Sequence, residues 1–264
     1  MTRDSFTANE FENSDIFTHF SLEVLAYMFS LVRILFCTIL AISITEAMAV
    51  ETEVTVVMFQ DQDSQNEPPY MTRMLLSKDH MRLDDDEDHG DFALFDRKDG
   101  AIYSVSHDEQ RTLLITQQPV LAVPPKPLRH DIEEVDARGV PDIGGKTVAR
   151  YYFFTNGKRC SEVYAVEGYY EDAVNALSAF SKTLAGQHAK AIDLVPGDVA
   201  SDCDLANNIF APDRHLSKGF PVRQKDYSGR SRQLVTIKEN VKVDSSIFEL
   251  PEGYQRFMPG RMPE

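Results

Sequence analysis

Beyond residue 50, apolar and polar positions alternate in short bursts with no helical period, the pattern of half-buried strands broken by turns. The pattern predicts strands over Thr52 to Phe59, Tyr70 to Leu76, Met81 to Leu83, Phe92 to Phe95, Ala101 to Val105 and Thr112 to Thr116. Together they make a meander. Arg97-Lys98-Asp99-Gly100 reads as a hairpin turn, because Asp-Gly supplies the positive φ a tight turn needs, and His107-Asp108-Glu109-Gln110 is the next connection. A Pro-rich link, Pro119 to Pro127, then interrupts the pattern, because Pro124-Pro125-Lys126-Pro127 cannot enter a sheet interior. It reads as a domain boundary or a rigid crossing strap. Past an ambiguous acidic segment, Ile132 to Ala137, a hairpin runs from Thr147 to Thr155, turns at Asn156-Gly157 and returns from Lys158 to Ala165.

The period changes at about Tyr170. Val174, Leu177, Phe180 or Ser181, and Leu184 recur at three- and four-residue steps, which predicts a helix to about Ala189. Glu171 and Asp172 suit its amino end and His188 and Lys190 its carboxyl end, whereas Gly186 weakens the last turn. Strands follow over Phe220 to Gln224 and Gln233 to Lys238, joined through Ser228-Gly229.

Upstream, Arg33, an apolar run from Ile34 to Thr45 and Ala47-Met48-Ala49 have the three-part layout of a secretory signal, with cleavage expected near Ala49 and a mature start at Val50. A spanning or buried helix is the alternative, but a run of about 12 residues rises only about 18 Å against a hydrocarbon core of about 30 Å. Phe36 before Cys37 disfavours lipidation. Asp4, Glu10, Glu12, Asp15 and Glu23 are out of place in a targeting region, so Met28 is the expected translation start.

Removing residues 1–49 takes two Arg and six acids from a 264-residue chain of net charge −15, leaving 25 positive and 36 negative side chains, net −11. Such a surface repels phosphates, so no nucleic-acid partner is expected. Three cysteines become two, Cys160 and Cys203, and an even count in an oxidising compartment reads as a disulfide. There is no CxxC to favour redox exchange.

The order of signal, meander with Met81-Arg82-Leu83-Asp84 and Phe95-Asp96-Arg97-Lys98, Gly145-x-x-x-Ala149-x-x-Tyr152 strand, helix and closing Phe248-Glu249-Leu250-Pro251-Glu252-Gly253-Tyr254 resembles the LolA-like superfamily. That group holds lipoprotein-localization factors and envelope families of unknown function. The resemblance spans most of residues 51–257 and implies a single α+β, mainly β domain over 50–264. Its implied form is a strongly curved antiparallel sheet, a half-open barrel, with a helix covering the concave face and an apolar groove suited to acyl chains. No site residue is carried over from the family.

Candidate chemistry is thin. Asp84, Asp86 and Asp88 have the alternation of a calcium loop, but His89 and Phe95 stand where Gly and Glu are required, leaving a solvated acidic turn or an improvised cation site. His80, His89 and His107 could join those acids on a transition metal, with nothing in the sequence to fix the geometry. Gly144-Gly145-Lys146-Thr147 resembles the end of a phosphate loop, yet Val140 replaces its first Gly and a strand follows, so it reads as a turn. No GxSxG elbow is present, and Cys160 or Cys203 beside His188 or His215 would need a free thiol. The expectation is therefore a non-enzymatic periplasmic or secreted protein, with no catalytic residue, metal or cofactor. Met74, Phe92, Phe95, Tyr151, Phe153, Leu177 and Phe180 are its candidate apolar-groove residues for a lipid or lipoprotein chain. An envelope protein–protein interaction role and a metal- or thiol-dependent enzyme are the alternatives.

Overall fold

The computed structural model describes residues 50–192 and 200–260. The expected signal segment, the Met28 start and the Ala49 cleavage point lie outside the described residues. Twelve strands form one open sheet: β1 (Glu51–Gln62), β2 (Tyr70–Leu76), β3 (His80–Asp84), β4 (Phe92–Asp96), β5 (Ala101–Ser106), β6 (Arg111–Ile115), β7 (His130–Val135), β8 (Ala149–Thr155), β9 (Lys158–Val166), β10 (Phe220–Asp226), β11 (Ser231–Asp244) and β12 (Gln255–Phe257). Their order is β12-β6-β5-β4-β3-β2-β1-β11-β10-β9-β8-β7. All pairs are antiparallel except β12 with β6, which is parallel, so the sheet is mixed rather than antiparallel throughout.

This order gives the Pro-rich link its role. The meander runs outward from β1 to β6, and the next strand, β7, lies at the far edge beyond β8. Residues 116–129 therefore carry the chain from one half of the sheet to the other, as a strap within one unit spanning Ala49–Glu264. From β7 the chain works back inward to β11, which pairs with β1 along most of their lengths. Asn156 and Gly157 both have positive φ, 50° and 77°, as their hairpin turn demands.

The long helix α1 (Glu171–Ala191) covers one face. Its most buried residues are Ala173, Ala176, Thr183 and Ala185, so small side chains bring its backbone close to the layer beneath. Thr183 donates to the Gly100 carbonyl at 2.8 Å, fastening it to the β4–β5 turn. The stripe of larger residues, Val174, Leu177, Phe180 and Leu184, packs at the margins of the core formed by Val57, Phe59, Met74, Met81, Phe95 and Phe220.

The other face of the meander holds Val54, Leu75, Phe92, Leu94 and Val105. It is closed by the Phe248–Tyr254 segment, with Phe248 buried on His80 and the Tyr254 hydroxyl 2.7 Å from His107 Nδ1. A third cluster, Tyr151, Phe153, Val163 and Ala165, lies on β8 and β9. Beside those two strands sits the short helix α2 (Asp202–Leu205), tied to β9 by the Cys160–Cys203 disulfide. Sequence periodicity gives no sign of α2, because four residues are too few to show a period.

Candidate functional site

The seven apolar positions expected to line a groove fall into three separate places. Met74, Phe95, Leu177 and Phe180 meet under α1, with the Phe95 and Phe180 rings edge to face at 5.8 Å. Phe92 is on the opposite face, since an offset of three residues along a strand reverses the side-chain direction. There the Arg82 guanidinium sits 3.9 Å above its ring. Tyr151 and Phe153 belong to the β8–β9 cluster, flanked by Lys218 and Arg214. Met74, Phe95 and Phe153 are almost wholly inaccessible, at 0–1% exposure.

Asp84 is not solvated. It is buried and bonded to both Arg73 (2.8 Å) and Arg82 (2.7 Å), while Asp86 and Asp88 also pair with Arg73. Arg82 donates further to the Ile247 carbonyl at 2.7 Å, so the Asp84–Arg82 pair links the meander to the closing segment, while Asp85 to Asp88 form an exposed turn. Among the described residues no group of three or more His, Cys, Asp or Glu could hold a metal ion. Gly144 and Gly145 adopt positive φ in a turn closed by an Ile143–Lys146 bridge, and no helix follows. Cys160 and Cys203 are bonded to one another, which removes both as free nucleophiles and accords with an oxidising compartment.

The strap forms a site that no sequence motif marks. Its residues alternate between inward and outward faces, with Val120 and Ala122 turned in and Leu121 and Val123 exposed at 84% and 82%. Between the strap and the segment Ile209–Asp213 lies a groove of about 740 Å³, with Val120, Ala122, Ala185, Ile209, Phe210 and Ala211 among its lining. That volume is within the usual range for small-ligand sites, about 300–1,000 Å³.

Both walls are held in place. On the strap side the Gln118 carbonyl lies where a Cβ on Gly186 of α1 would sit, only 2.2 Å from the ideal position. The glycine that weakens the helix is the one that admits the strap. Farther along, Lys126 pairs with Asp202 at 2.6 Å and the Asn156 side chain donates to the Pro127 carbonyl at 3.0 Å. The hydrogen bond from Lys126 is the main cause holding the Asp202 carboxyl below its ordinary range. On the other wall Asp213 accepts from Ser178 at 2.6 Å and pairs with Lys182 at 2.9 Å, both on α1. Burial pushes the Asp213 carboxyl up, but these bonds outweigh it and hold it below the carboxylate range. The signals available in the sequence were Val120-Leu121-Ala122-Val123 within a Pro-rich link and Ile209-Phe210-Ala211-Pro212, two apolar runs in irregular segments.

No family model matches the chain, and no curated protein matches it. Among solved structures it is similar to an uncharacterized conserved protein from Thermus thermophilus, at 9% identity and a TM-score of 0.40, over 81% of this chain and 94% of that one. It is also similar to PNGF-II, at 10% identity and a TM-score of 0.38, over 78% of this chain and 31% of that one.

Proposed function

We propose that this is a non-enzymatic, LolA-like periplasmic protein that binds an alkyl chain of a lipid or lipoprotein in the groove between the strap and residues 209–213. The observation that carries the reading is the groove itself, whose mixed lining has an apolar side of Val120, Ala122, Ile209 and Phe210, beneath a strap whose outer face carries the two most exposed large apolar side chains in the described residues, Leu121 and Val123. Exposed apolar surface on an otherwise acidic protein marks a place where something apolar docks. Burying about six methylenes there contributes about 5 kcal/mol, enough for a sub-millimolar Kd.

The half-open form of the sheet belongs to the same proposal and has its own support. Ile115 and His130 end strands that are ten positions apart in the sheet order. On a flat sheet that is about 48 Å at about 4.8 Å per strand. About fifteen residue steps at the extended polyproline rise of about 3.1 Å reach about 46 Å, with no allowance for climbing over α1. A flat sheet would leave the strap almost no slack, and a curled one supports the reading by bringing the two halves nearer.

The test is displacement of a fluorescent C12 fatty acid, with native mass spectrometry of the purified protein. Binding that is lost in Val120→Asp supports the reading, and no binding by either method refutes it. The exposure of Leu121 and Val123 also suits an envelope protein partner. Cross-linking from Leu121→Cys that captures protein while the fatty acid fails to bind would favour that second reading.

A further inference from the structure

Arginine and tyrosine alternate across the strands near one end of the sheet. The register sets Arg150 opposite Tyr164 and Tyr164 opposite Arg223, Tyr152 opposite Glu162 and Glu162 opposite Lys225, and Phe154 opposite Arg159. Paired residues of neighbouring strands project to the same side, so these eight share one face of β8, β9 and β10, turned away from the Tyr151, Phe153 and Val163 cluster. The contacts follow the register. The Arg159 guanidinium lies 4.6 Å from the centre of the Tyr152 ring, Arg150 lies 5.0 Å from that ring and 5.5 Å from the ring of Tyr164, and Arg223 lies 5.6 Å from Tyr164. Three guanidiniums and two rings thus make one row, in the order Arg159, Tyr152, Arg150, Tyr164, Arg223.

This row concentrates positive charge on a chain whose net charge is −15. Glu162 is the one acid among the eight residues, and it pairs with Arg150 at 2.8 Å. That leaves Arg159, Arg223 and Lys225, all exposed, with no ion-pair partner among the described residues. The row ends in a hollow of about 690 Å³, where Arg159 and Lys225 stand beside Ser64, Gln65, Asn66 and Ser228. Its remaining acid, Asp226, is taken by Arg230 at 2.8 Å. Unpaired cations beside neutral donors and acceptors suit a ligand that carries both anionic groups and hydroxyls.

The geometry also discriminates among anions. A guanidinium stacked on a ring keeps its N–H edge free for a planar carboxylate, but it occupies the ring face that a nucleic-acid base would need. A broad anionic surface such as a bilayer would meet Asp131 and Glu133, which the register places on the same face at the edge strand β7. A slender chain laid along β9 stays two strand spacings, about 10 Å, from β7, beyond the screening length of about 8 Å at physiological salt. An acidic peptide supplies the charge without the hydroxyls.

We propose that this face binds an acidic polysaccharide, a chain of carboxylate-bearing sugars, with carboxylates on Arg159, Arg223 and Lys225 and a hydroxyl-bearing sugar edge in the hollow. The hollow shares no lining residue with the strap groove, so the proposal stands independently of the alkyl-chain reading.

The test is calorimetric titration of the protein with the hexamer of galacturonic acid, beside the neutral maltohexaose and the acidic peptide hexaglutamate. The galacturonate hexamer should bind at least tenfold more tightly than either, and its affinity should fall as salt rises. Arg159→Gln, Arg223→Gln and Lys225→Gln should each weaken it at least fivefold, with circular dichroism confirming that each variant folds. Lys98→Gln removes the same charge from the exposed β4–β5 turn and should change the affinity less than twofold. Equal binding of hexaglutamate would overturn the sugar class in favour of an acidic protein segment. Equal binding of maltohexaose would overturn the role of charge, and an equal loss in Lys98→Gln would overturn the placement on this face. Failure of the galacturonate hexamer to bind would overturn the proposal and leave the strap groove untouched.

Discussion

Replacing Gly186 by Ala inverts the usual consequence of such a change. In an exposed helix interior Gly→Ala is stabilising by about 1 kcal/mol, because alanine restricts the unfolded backbone and favours the helix. Here the added Cβ would stand 2.2 Å from the Gln118 carbonyl oxygen and 3.1 Å from its carbon. Both obstacles are backbone, so no rotamer change relieves them. The contact falls short of ordinary packing distance by more than about 1 Å, and overpacking of this kind costs about 1–3 kcal/mol. The strap can yield, since its Lys126–Asp202 pair is partly exposed and contributes under about 1 kcal/mol. The net result is therefore a variant between unchanged and about 2 kcal/mol less stable than wild type, with a strap lifted from α1. Urea unfolding measures the first. Limited proteolysis of the strap, and the affinity for a C12 chain, measure the second: cleavage should speed at least tenfold and affinity fall at least fivefold. A variant more stable by about 1 kcal/mol, with strap cleavage and chain affinity unchanged, would refute the role given to this glycine.

Three further outcomes follow from other parts of the molecule. Arg82→Ala leaves buried Asp84 with Arg73 as its nearest cation and frees the Ile247 carbonyl, so it should destabilise by about 3–5 kcal/mol in urea melts, and Arg73→Ala at the more exposed rim by less. Breaking the Cys160–Cys203 bridge, whose ends are 43 positions apart in sequence, should lower stability by about 4 kcal/mol in Cys160→Ser/Cys203→Ser relative to the oxidised protein, an effect that reduction of the wild type should reproduce. Burial pushes the His215 imidazole down to about 4, and burial together with the Arg214 charge lowers His130 as well. Between about pH 6.5 and the folded values the unfolded chain takes up protons that the folded one refuses, so stability is full above about pH 6.5 and declines toward pH 4. Urea midpoints across that range should fall, and His215→Gln should flatten the decline.

How far the sequence could be read differs by element, for physical reasons. The meander and the Asn156-Gly157 hairpin are legible because they are local: β2 occupies Tyr70–Leu76 as the alternation predicts, β1 runs three residues past Phe59, and the others differ at their ends by a residue or two. β11 extends over Ser231–Asp244, well beyond Gln233 to Lys238, because its length is set by pairing with β1 across the sheet. β7 reads ambiguously because nearly all of it is exposed, leaving no apolar face to betray a strand. The disulfide followed from cysteine arithmetic, and the geometry bears it out. The acidic run is solvated from Asp85 to Asp88 as its composition suggests, whereas Asp84 is buried because Arg82 on its own strand and Arg73 on the neighbouring strand compensate it, the second through a pairing no local pattern reveals.

The groove residues were the hardest to see. A rule that large apolar side chains line a ligand site selects the core first, and Met74, Phe95 and Phe153 are core. The strap groove is made instead of Val120, Ala122, Ile209 and Ala211 in segments with no regular period, juxtaposed by a crossing connection, a glycine contact and a disulfide. Each of those is a long-range relation, invisible to hydrophobic patterning along the chain.

Intermolecular nuclear Overhauser effects between a dodecyl chain and assigned methyl groups test the central claim most directly. The account predicts contacts to Val120, Ile209 and the methyls of Ala185 and Ala211, all in the lining of the strap groove. Contacts confined to Met74 and Leu177, beneath α1, or no contacts at saturating chain, would contradict it.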